Sequence, residues 1–266
     1  MMRDRSLQFL ALHGFTGCGA DFAPLRQLLG GLHETATAPI GWHCPDLPGH
    51  GPDPSLDCSP RATLDFLQMQ ASAFDAQHST FDVLLAYSMG ARAALLHATA
   101  RPDAWDALIL VSPNPGIEAE NERAERRRSD HALADRIERE GLEAFLEFWQ
   151  QQPLIRSQQS IPAPWNEAMR ANRLRNTAQG LAASLRQFGQ GSCPDLWPDL
   201  PKLTMPVLLL TGEADAKYTA TAERMHRALP NARHLSIPAS GHAPHLERPS
   251  PACQAIRSFL NDARRL

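Results

Sequence analysis

Short apolar runs alternate with helical patterns along most of this chain. The runs that are apolar enough for buried strands cover residues 7–12, 83–87, 107–111, 207–211 and 234–237, and a shorter strand is predicted near Trp42. A helical pattern over 63–74 precedes the second run, and an alanine-rich one follows it. This alternation predicts an α/β fold with a mainly parallel, doubly wound sheet.

The pattern changes after residue 116. From Glu118 to about Leu196 there is no convincing strand, only helical patterns rich in Arg, Glu, Gln and Ala. Apolar strand patterns resume after Pro206. We therefore predict a core formed by residues 1–116 and 197–266, with a helical cap inserted at 117–196. Phe145, Phe148 and Trp149 are expected to pack this cap onto the core.

A serine flanked by small residues follows the second apolar run directly. The segment Ala86-Tyr87-Ser88-Met89-Gly90 is one alanine away from G-x-S-x-G, the pattern of a nucleophile elbow. Strand, sharp turn and helix would place Ser88 at the carboxyl ends of the strands. The amide of Met89, at the helix N-terminus, would stabilise a developing oxyanion.

A second oxyanion donor is predicted in the loop after the first strand. His13-Gly14-Phe15-Thr16-Gly17 is punctuated by glycines, so its backbone can approach a ligand closely. In this architecture the amide of Phe15 would be the second donor. A plain strand-to-helix turn is the alternative interpretation.

An acid and a histidine each follow a later strand. Asp215 comes just after residues 207–211 and His242 just after 234–237, so the order Ser, acid, His fits a catalytic triad with Ser88. Glu213 is a weaker acid candidate because it lies closer to its strand, and His245 is a weaker base because it lies one helical turn further on. His50, between two turns, is interpreted as structural.

Composition narrows the function classes. The chain has 266 residues, 43% hydrophobic and 21% charged, which is typical of a globular protein. A net charge of −3 argues against a nucleic-acid partner. The five cysteines are scattered without C-x-x-C spacing, so neither a disulfide framework nor a zinc site is indicated.

Localisation and cofactors follow from the same survey. The N-terminus leads straight into a strand pattern with no long apolar segment, so we expect a cytoplasmic protein without a membrane span. No metal-ligand spacing and no phosphate-binding glycine pattern is present, so neither a metal nor a cofactor is expected. We expect a monomer or a small homo-oligomer that acts on a small molecule.

Arginines are concentrated in the predicted cap. Three adjoin at 126–128, and three more stand at 170, 173 and 175. Most charges in such helices are solvated, so at most one of the adjoining three is expected to face a ligand. Because guanidinium groups suit carboxylates in a bidentate way, an arginine-lined cleft would favour a multiply anionic substrate.

Several motifs together resemble a known family. They are Leu12–Gly17, Pro45–Gly51, Tyr87–Arg92, Glu122–Asp130, Trp149–Leu154, Gly180–Arg186 and Gly212–Lys217. The chain resembles the α/β-hydrolase-fold lyases of the menaquinone pathway, the 2-succinyl-6-hydroxy-2,4-cyclohexadiene-1-carboxylate synthases. The resemblance spans nearly the whole chain, including the insertion, where general esterases diverge most.

The resemblance implies an activity and a set of site residues. Members of the family eliminate pyruvate from 2-succinyl-5-enolpyruvyl-6-hydroxy-3-cyclohexene-1-carboxylate, a ring compound with three carboxylates. It implies a triad of Ser88, Asp215 and His242 that abstracts a proton, while the oxyanion hole stabilises enolate-like charge. The positions that line the substrate pocket would be Tyr87, Arg92, Arg126, Trp149 and Arg175.

The chain also departs from the family pattern. Ala86 and Ala91 replace the usual glycines around the elbow, and Gln190-Gly-Ser-Cys-Pro194 stands where the family has Gly-Thr-Gly-Gln. The alternative interpretation is a carboxylesterase, thioesterase or C–C hydrolase, in which Ser88 is acylated. A ligand-binding protein without catalysis is a third, which the intact triad disfavours.

Overall fold

The computed structural model describes residues 6–30, 40–52, 54–72 and 80–265. Within these residues, six strands form one sheet in the order β2-β1-β3-β4-β5-β6, and every neighbouring pair is parallel. The strands are β1 Ser6–Leu12, β2 Gly41–His43, β3 Thr80–Tyr87, β4 Ala107–Val111, β5 Val207–Gly212 and β6 Ala232–Ile237. The prediction of an α/β fold with a mainly parallel sheet is confirmed.

Helices cover both faces of the sheet. Those of the core are α1 Ala23–Gly30, α2 Pro60–Ser72, α3 Met89–Ala100, α9 Ala216–Ala228, α10 Pro244–Glu247 and α11 Pro249–Ala263. Strands β4 and β5 are buried at every position, because apolar clusters lie on both of their faces. This double burial is the reason that these strands read as continuous apolar runs in the sequence.

Element ends differ slightly from the predictions. The edge strand β6 begins at Ala232 rather than at residue 234, and most of its positions are only half-buried or exposed. An edge strand has one free side, so its apolar signal is weak where it begins. The helix predicted over 63–74 is α2, which starts earlier, at Pro60; the last residues of that prediction lie outside the described part of the chain.

Further helices lie between β4 and β5, in the segment predicted as a cap. They are α4 Glu120–Glu140, α5 Leu142–Gln150, α6 Pro153–Arg156, α7 Ala163–Arg173 and α8 Ala178–Phe188, with a 3-10 helix at Ser157–Ser160. Their own apolar cluster includes Ile137, Phe145 and Leu181. The ring of Phe15, from the loop after β1, contacts Phe145 and Trp149 at centroid distances of 6.3 and 5.4 Å. These aromatic contacts join the inserted helices to the loop that follows β1.

Two features are absent from the described residues: a membrane-spanning helix and a group of metal-ligating side chains. None of the helices there has both the length and the apolar character needed to cross a bilayer. No group of three or more His, Cys, Asp or Glu side chains in that part of the chain is arranged to hold a metal ion. The loops after β1, β3, β5 and β6 lie at the carboxyl edge of the sheet, and they carry Phe15, Ser88, Asp215 and His242.

Candidate active site

Ser88 occupies a strained turn between β3 and α3. Its backbone lies in the left-handed region, at φ 53° and ψ −108°, which residues with a side chain rarely adopt. The Ser88 N–H donates to the carbonyl of Val111 on β4 at 2.9 Å, which helps to hold the turn. A Cβ on Gly90 would stand 2.3 Å from the carbonyl oxygen of Leu12, so only glycine lets α3 pass β1 this closely.

Ser88, His242 and Asp215 form a continuous chain of hydrogen bonds. Ser88 Oγ lies 2.9 Å from His242 Nε2, and His242 Nδ1 lies 2.7 Å from Asp215 Oδ2. The His242 and Asp215 side chains are both buried. A carboxylate can only accept at Nδ1, so Nδ1 carries the proton and Nε2 accepts the hydroxyl proton of Ser88. This arrangement can act as a general base or activate a serine nucleophile.

The loop that carries His242 is braced on both sides. The carboxylate of Glu247 accepts the N–H of Gly241 at 2.6 Å and that of Ala243 at 2.9 Å. Ser112, which follows β4, donates its Oγ to the carbonyl of His242 at 2.8 Å. From the cap, Ser157 donates to the same Glu247 carboxylate. The sequence reasoning did not select Glu247, although a carboxylate five residues after the histidine was a visible signal.

The alternative acid and bases lie in different surroundings. Glu213 is exposed and accepts the N–H of Ala239. His245 is buried against Tyr87, with ring centroids 4.6 Å apart, and burial lowers its pKa to about 3. His50 lies outside the cavity lining, beside the carbonyl of Pro48, and burial lowers its pKa to about 3 as well. Imidazoles with such low pKa values are weak bases.

The two predicted oxyanion donors are the backbone amides of Met89 and Phe15. Met89 is the first residue of α3, so its N–H belongs to the first turn, whose donors have no partner within the helix. Phe15 lies in the loop after β1, which is closed by a hydrogen bond from Gly17 N–H to the carbonyl of Gly14 at 3.0 Å. Both residues line the same cavity as Ser88. Such a pair could stabilise charge that develops on a carbonyl oxygen.

A cavity of about 230 Å³ opens above Ser88 between the sheet edge and the cap. Its charged lining consists of four cations, Arg92, Arg126, Arg173 and Lys217, and two carboxylates, Asp21 and Asp130. Aromatic and apolar residues supply other parts of the wall, among them Phe15, Tyr87, Trp149, Leu185, Phe188 and Tyr218. Mixed apolar and cationic walls suit a small ring compound that carries carboxylates.

The arginines of the lining differ in what they bind. Arg126 donates from Nε to Asp130 at 2.8 Å and from Nη1 to Gln190 at 2.7 Å. Arg92 donates to the carbonyl of Phe188 at 3.1 Å, and its buried Nε has no hydrogen-bond partner among the described residues. Of the three adjoining arginines at 126–128, Arg126 is the one that lines the cavity. Its neighbours are absent from the lining.

Arg173, rather than Arg175, lines the cavity. Arg175 is exposed and outside the lining, whereas Arg173 is 6% exposed and donates to Gln158 Oε1 at 2.5 Å. The reason is where α7 ends. Arg173 is its last residue, on the same face as Met169, which also lines the cavity, and residues beyond it leave the helix. Burial lowers the pKa of the Arg173 guanidinium, and its buried Nε is unpartnered in the described structure.

Two further polar residues, which no sequence pattern singled out, contact the predicted site residues. Tyr218 packs its ring against His242, at a centroid distance of 4.4 Å, and its hydroxyl accepts from Gln190 at 2.8 Å. Asp130 is fully buried beneath Arg126. The spacing of four residues between Arg126 and Asp130 on a helix was the available signal. The contact between Gln190 and Tyr218 spans separate elements and left no local signal.

Comparisons with known proteins identify the family of this chain. The model of the Alpha/beta hydrolase family matches residues 9–255. The chain belongs to the alpha/beta hydrolase family. Within that family it is 36% identical to a Bacillus subtilis protein that carries a provisional name as 2-succinyl-6-hydroxy-2,4-cyclohexadiene-1-carboxylate synthase, over 94% of this chain and 89% of the relative. The synthase of Salmonella arizonae is 30% identical, over 94% of this chain and 92% of that protein.

Solved structures extend the same comparison. The structure of MenH from S. aureus superposes with a TM-score of 0.86 at 31% identity, and the match covers 97% of this chain and 94% of that one. A thermophilic esterase from Thermogutta terrifontis, with malate bound, gives a TM-score of 0.76 at 26% identity over 97% of this chain and 91% of the esterase. This member of the alpha/beta hydrolase family therefore shares its architecture with MenH and with an esterase.

Proposed function

We propose that this enzyme is a lyase that eliminates pyruvate from 2-succinyl-5-enolpyruvyl-6-hydroxy-3-cyclohexene-1-carboxylate. The product would be 2-succinyl-6-hydroxy-2,4-cyclohexadiene-1-carboxylate, the compound named in its relatives. The observation that carries the proposal is the arginine-rich cavity directly above Ser88, because this substrate has three carboxylates. The 36% identity to the Bacillus protein, which extends through the cap, supports the same assignment.

The triad would supply the base. With Asp215 holding Nδ1–H, His242 takes the Ser88 proton as Ser88 Oγ removes the proton from the ring carbon that bears the succinyl ketone. The ring double bond shifts, and the bond between the ring and the enolpyruvyl oxygen breaks. The released enolpyruvate gains a proton as it becomes pyruvate, which balances the proton held on His242. No acyl-enzyme forms in this reaction.

Charge that develops in the reaction would be held in two places. The ketone oxygen becomes enolate-like, and the amides of Phe15 and Met89 would donate to it. The carboxylates would bind the guanidinium groups of Arg92, Arg126 and Arg173, with Arg173 in the role expected for Arg175. Tyr87 and Trp149, which line the cavity, would contact the ring. The buried Trp149 Nε1, without a partner among the described residues, is a donor available to substrate.

Hydrolysis is the second candidate, favoured by the chain-long likeness to an esterase. The test supplies the enolpyruvyl ring acid and measures pyruvate with coupled lactate dehydrogenase. Pyruvate release without an acyl adduct on Ser88 in the mass spectrum is the expected result. Rapid turnover of p-nitrophenyl esters with acylated Ser88 and no pyruvate would replace the lyase assignment by a hydrolase.

A further inference from the structure

A cap residue outside the catalytic cavity is bonded to the loop that carries Phe15. Asn176 lies between α7 and α8 and is 5% exposed. Its Nδ2 donates to the carbonyl of Thr16 at 2.9 Å and to that of Arg173 at 3.0 Å, while its Oδ1 accepts the N–H of Gly51 at 2.9 Å. Both donors and the acceptor of the side-chain amide are thus used, and only an amide can make this set of bonds.

The bond to Thr16 fixes the peptide unit that joins Thr16 and Gly17. In a planar trans peptide the C=O and the N–H point in opposite directions, and the described chain has no cis peptide. With its carbonyl held by Asn176, this unit points its N–H at the carbonyl of Gly14, to which it donates at 3.0 Å. The orientation set by the cap is therefore passed to the preceding turn of the loop.

The Gly14 carbonyl belongs to the peptide unit that joins Gly14 and Phe15, so the hydrogen bond from Gly17 N–H connects the two units. This carbonyl accepts from Gly17 N–H and from His13 Nδ1, the latter at 2.8 Å. The Nε2 of His13 accepts the N–H of Leu47 at 2.9 Å, so the proton of this imidazole is on Nδ1. These two donors hold the Gly14 carbonyl. The Phe15 N–H, at the other end of the same planar unit, therefore points in the opposite direction. Successive hydrogen bonds of this kind also polarise one another, which strengthens the last donor.

Thr16 needs such support. Its φ of 67° lies in the left-handed region, where a β-branched residue is a genuine outlier, and its buried Oγ1 has no hydrogen-bond partner within the described residues. Strain of this kind persists only where the surroundings impose it. Asn176 binds the carbonyl of this same residue, so losing that bond would let the loop relax.

We propose that Asn176 is a positioning residue that aims the Phe15 N–H at the reacting oxygen through two peptide units that are hydrogen-bonded to each other. The inference rests on the oxyanion role proposed above for Phe15. A side chain of the cap then sets the orientation and strength of the Phe15 N–H, a donor that belongs to the core.

The chain contains a matched control. Gln187, on α8, also bridges cap and core with its amide: Nε2 donates to the carbonyl of Leu56 at 2.9 Å, and Oε1 accepts the N–H of Cys58 at 3.0 Å. Its partners belong to a loop that does not line the cavity. Gln187→Glu therefore removes the same kind of donor as Asn176→Asp without touching the loop of Phe15.

The experiment measures how fast Ser88 reacts with a fluorophosphonate in the full-length protein. Ser88 Oγ attacks phosphorus, fluoride leaves, the Ser88 proton passes to His242, and charge develops on the phosphoryl oxygen in the oxyanion hole. Intact-mass spectrometry follows labelling in Asn176→Asp, Asn176→Ala and Gln187→Glu, and circular dichroism gives the folded fraction of each. Pyruvate release gives kcat and KM in parallel.

Both Asn176 variants should lose labelling rate and kcat together, on the order of 10- to 100-fold per folded molecule, with a much smaller change in KM. Gln187→Glu should keep the wild-type rates. Asn176 variants that label as fast as Gln187→Glu would overturn the inference, as would a wild-type Ser88 that is not labelled at all. Slow labelling of the variants in a protein that releases no pyruvate would uphold Asn176 and refute the lyase instead.

Discussion

The sheet edge and the cavity wall above it differ in how their polar atoms are satisfied. At the edge, Ser88, His242 and Asp215 bond to one another at 2.9 and 2.7 Å, and both nitrogens of the His242 imidazole have partners. On the wall, Arg92 Nε, Arg173 Nε and Trp149 Nε1 are buried with no hydrogen-bond partner in the described residues. The three side chains at the edge all have hydrogen-bond partners, whereas these three donors of the wall have none in that part of the chain.

This difference corresponds to two functions, alignment of the base and selection of the substrate. A base must already be aligned when substrate arrives, because a misplaced catalytic group costs rate. Buried donors without partners carry a desolvation cost that an incoming carboxylate can offset, and they favour anions over neutral ligands. The edge should therefore control kcat, and the wall should control which substrate is bound.

The largest effect on activity is expected when the hydrogen bond between Asp215 and His242 at the sheet edge is removed. Asp215→Asn cannot hold His242 in the Nδ1–H tautomer, so kcat for pyruvate release should fall by about 10³- to 10⁴-fold with little change in KM. Glu213→Gln is the control, because Glu213 is exposed and bonds only a backbone N–H in the described contacts. Steady-state kinetics with the coupled assay measures both. Equal losses in the two variants would refute Asp215 as the acid of the triad.

A smaller effect on activity is expected when an arginine of the cavity wall is replaced. Arg173→Leu should raise KM for the anionic substrate by about 10- to 100-fold, the amount that charge-assisted hydrogen bonds supply. Arg175→Leu, two residues away on the exposed side, should change KM less than about 2-fold, as surface replacements usually do. The comparison needs only kcat and KM for the two variants. If Arg175→Leu had the stronger effect, the assignment of Arg173 to the substrate would be wrong.

The last prediction concerns stability and not turnover, through imidazoles that lack the partners His242 has. His50 Nε2 and His245 Nδ1 are buried without partners in the described structure, and burial lowers both pKa values to about 3, against about 6.5 in an unfolded chain. Between these pH values the unfolded chain binds protons that the folded chain does not. Stability should be complete above about pH 6.5 and fall as the pH drops towards 3.

Urea unfolding at several pH values measures this slope. Each histidine should contribute up to about 1.4 kcal/mol of unfolding free energy per pH unit. His50→Phe, which keeps a ring beside Phe15, should flatten the slope by that amount, whereas replacing the exposed His226 should not. An unchanged slope in His50→Phe would mean that His50 is protonated in the folded protein.

Local signals predicted the parts of the site that follow strands directly. Ser88, Asp215 and His242 stand just after β3, β5 and β6, and the carboxyl ends of parallel strands meet at one edge of the sheet. Their approach could therefore be expected from strand positions alone. The family prediction is confirmed by the match over residues 9–255. The roles of these residues in catalysis stay predictions that the variants above test.

The amino-acid sequence by itself determined the order of strands and helices, because apolar periodicity and turn residues act within short segments. Only the tertiary structure decided which arginine lines the cavity, since that depends on α7 ending at Arg173. It also decided that Glu247 braces the histidine loop and that Asn176 binds the loop of Phe15. Such contacts join groups distant in the chain or depend on the path of a loop, and they exist only once the packed core has fixed where each backbone runs.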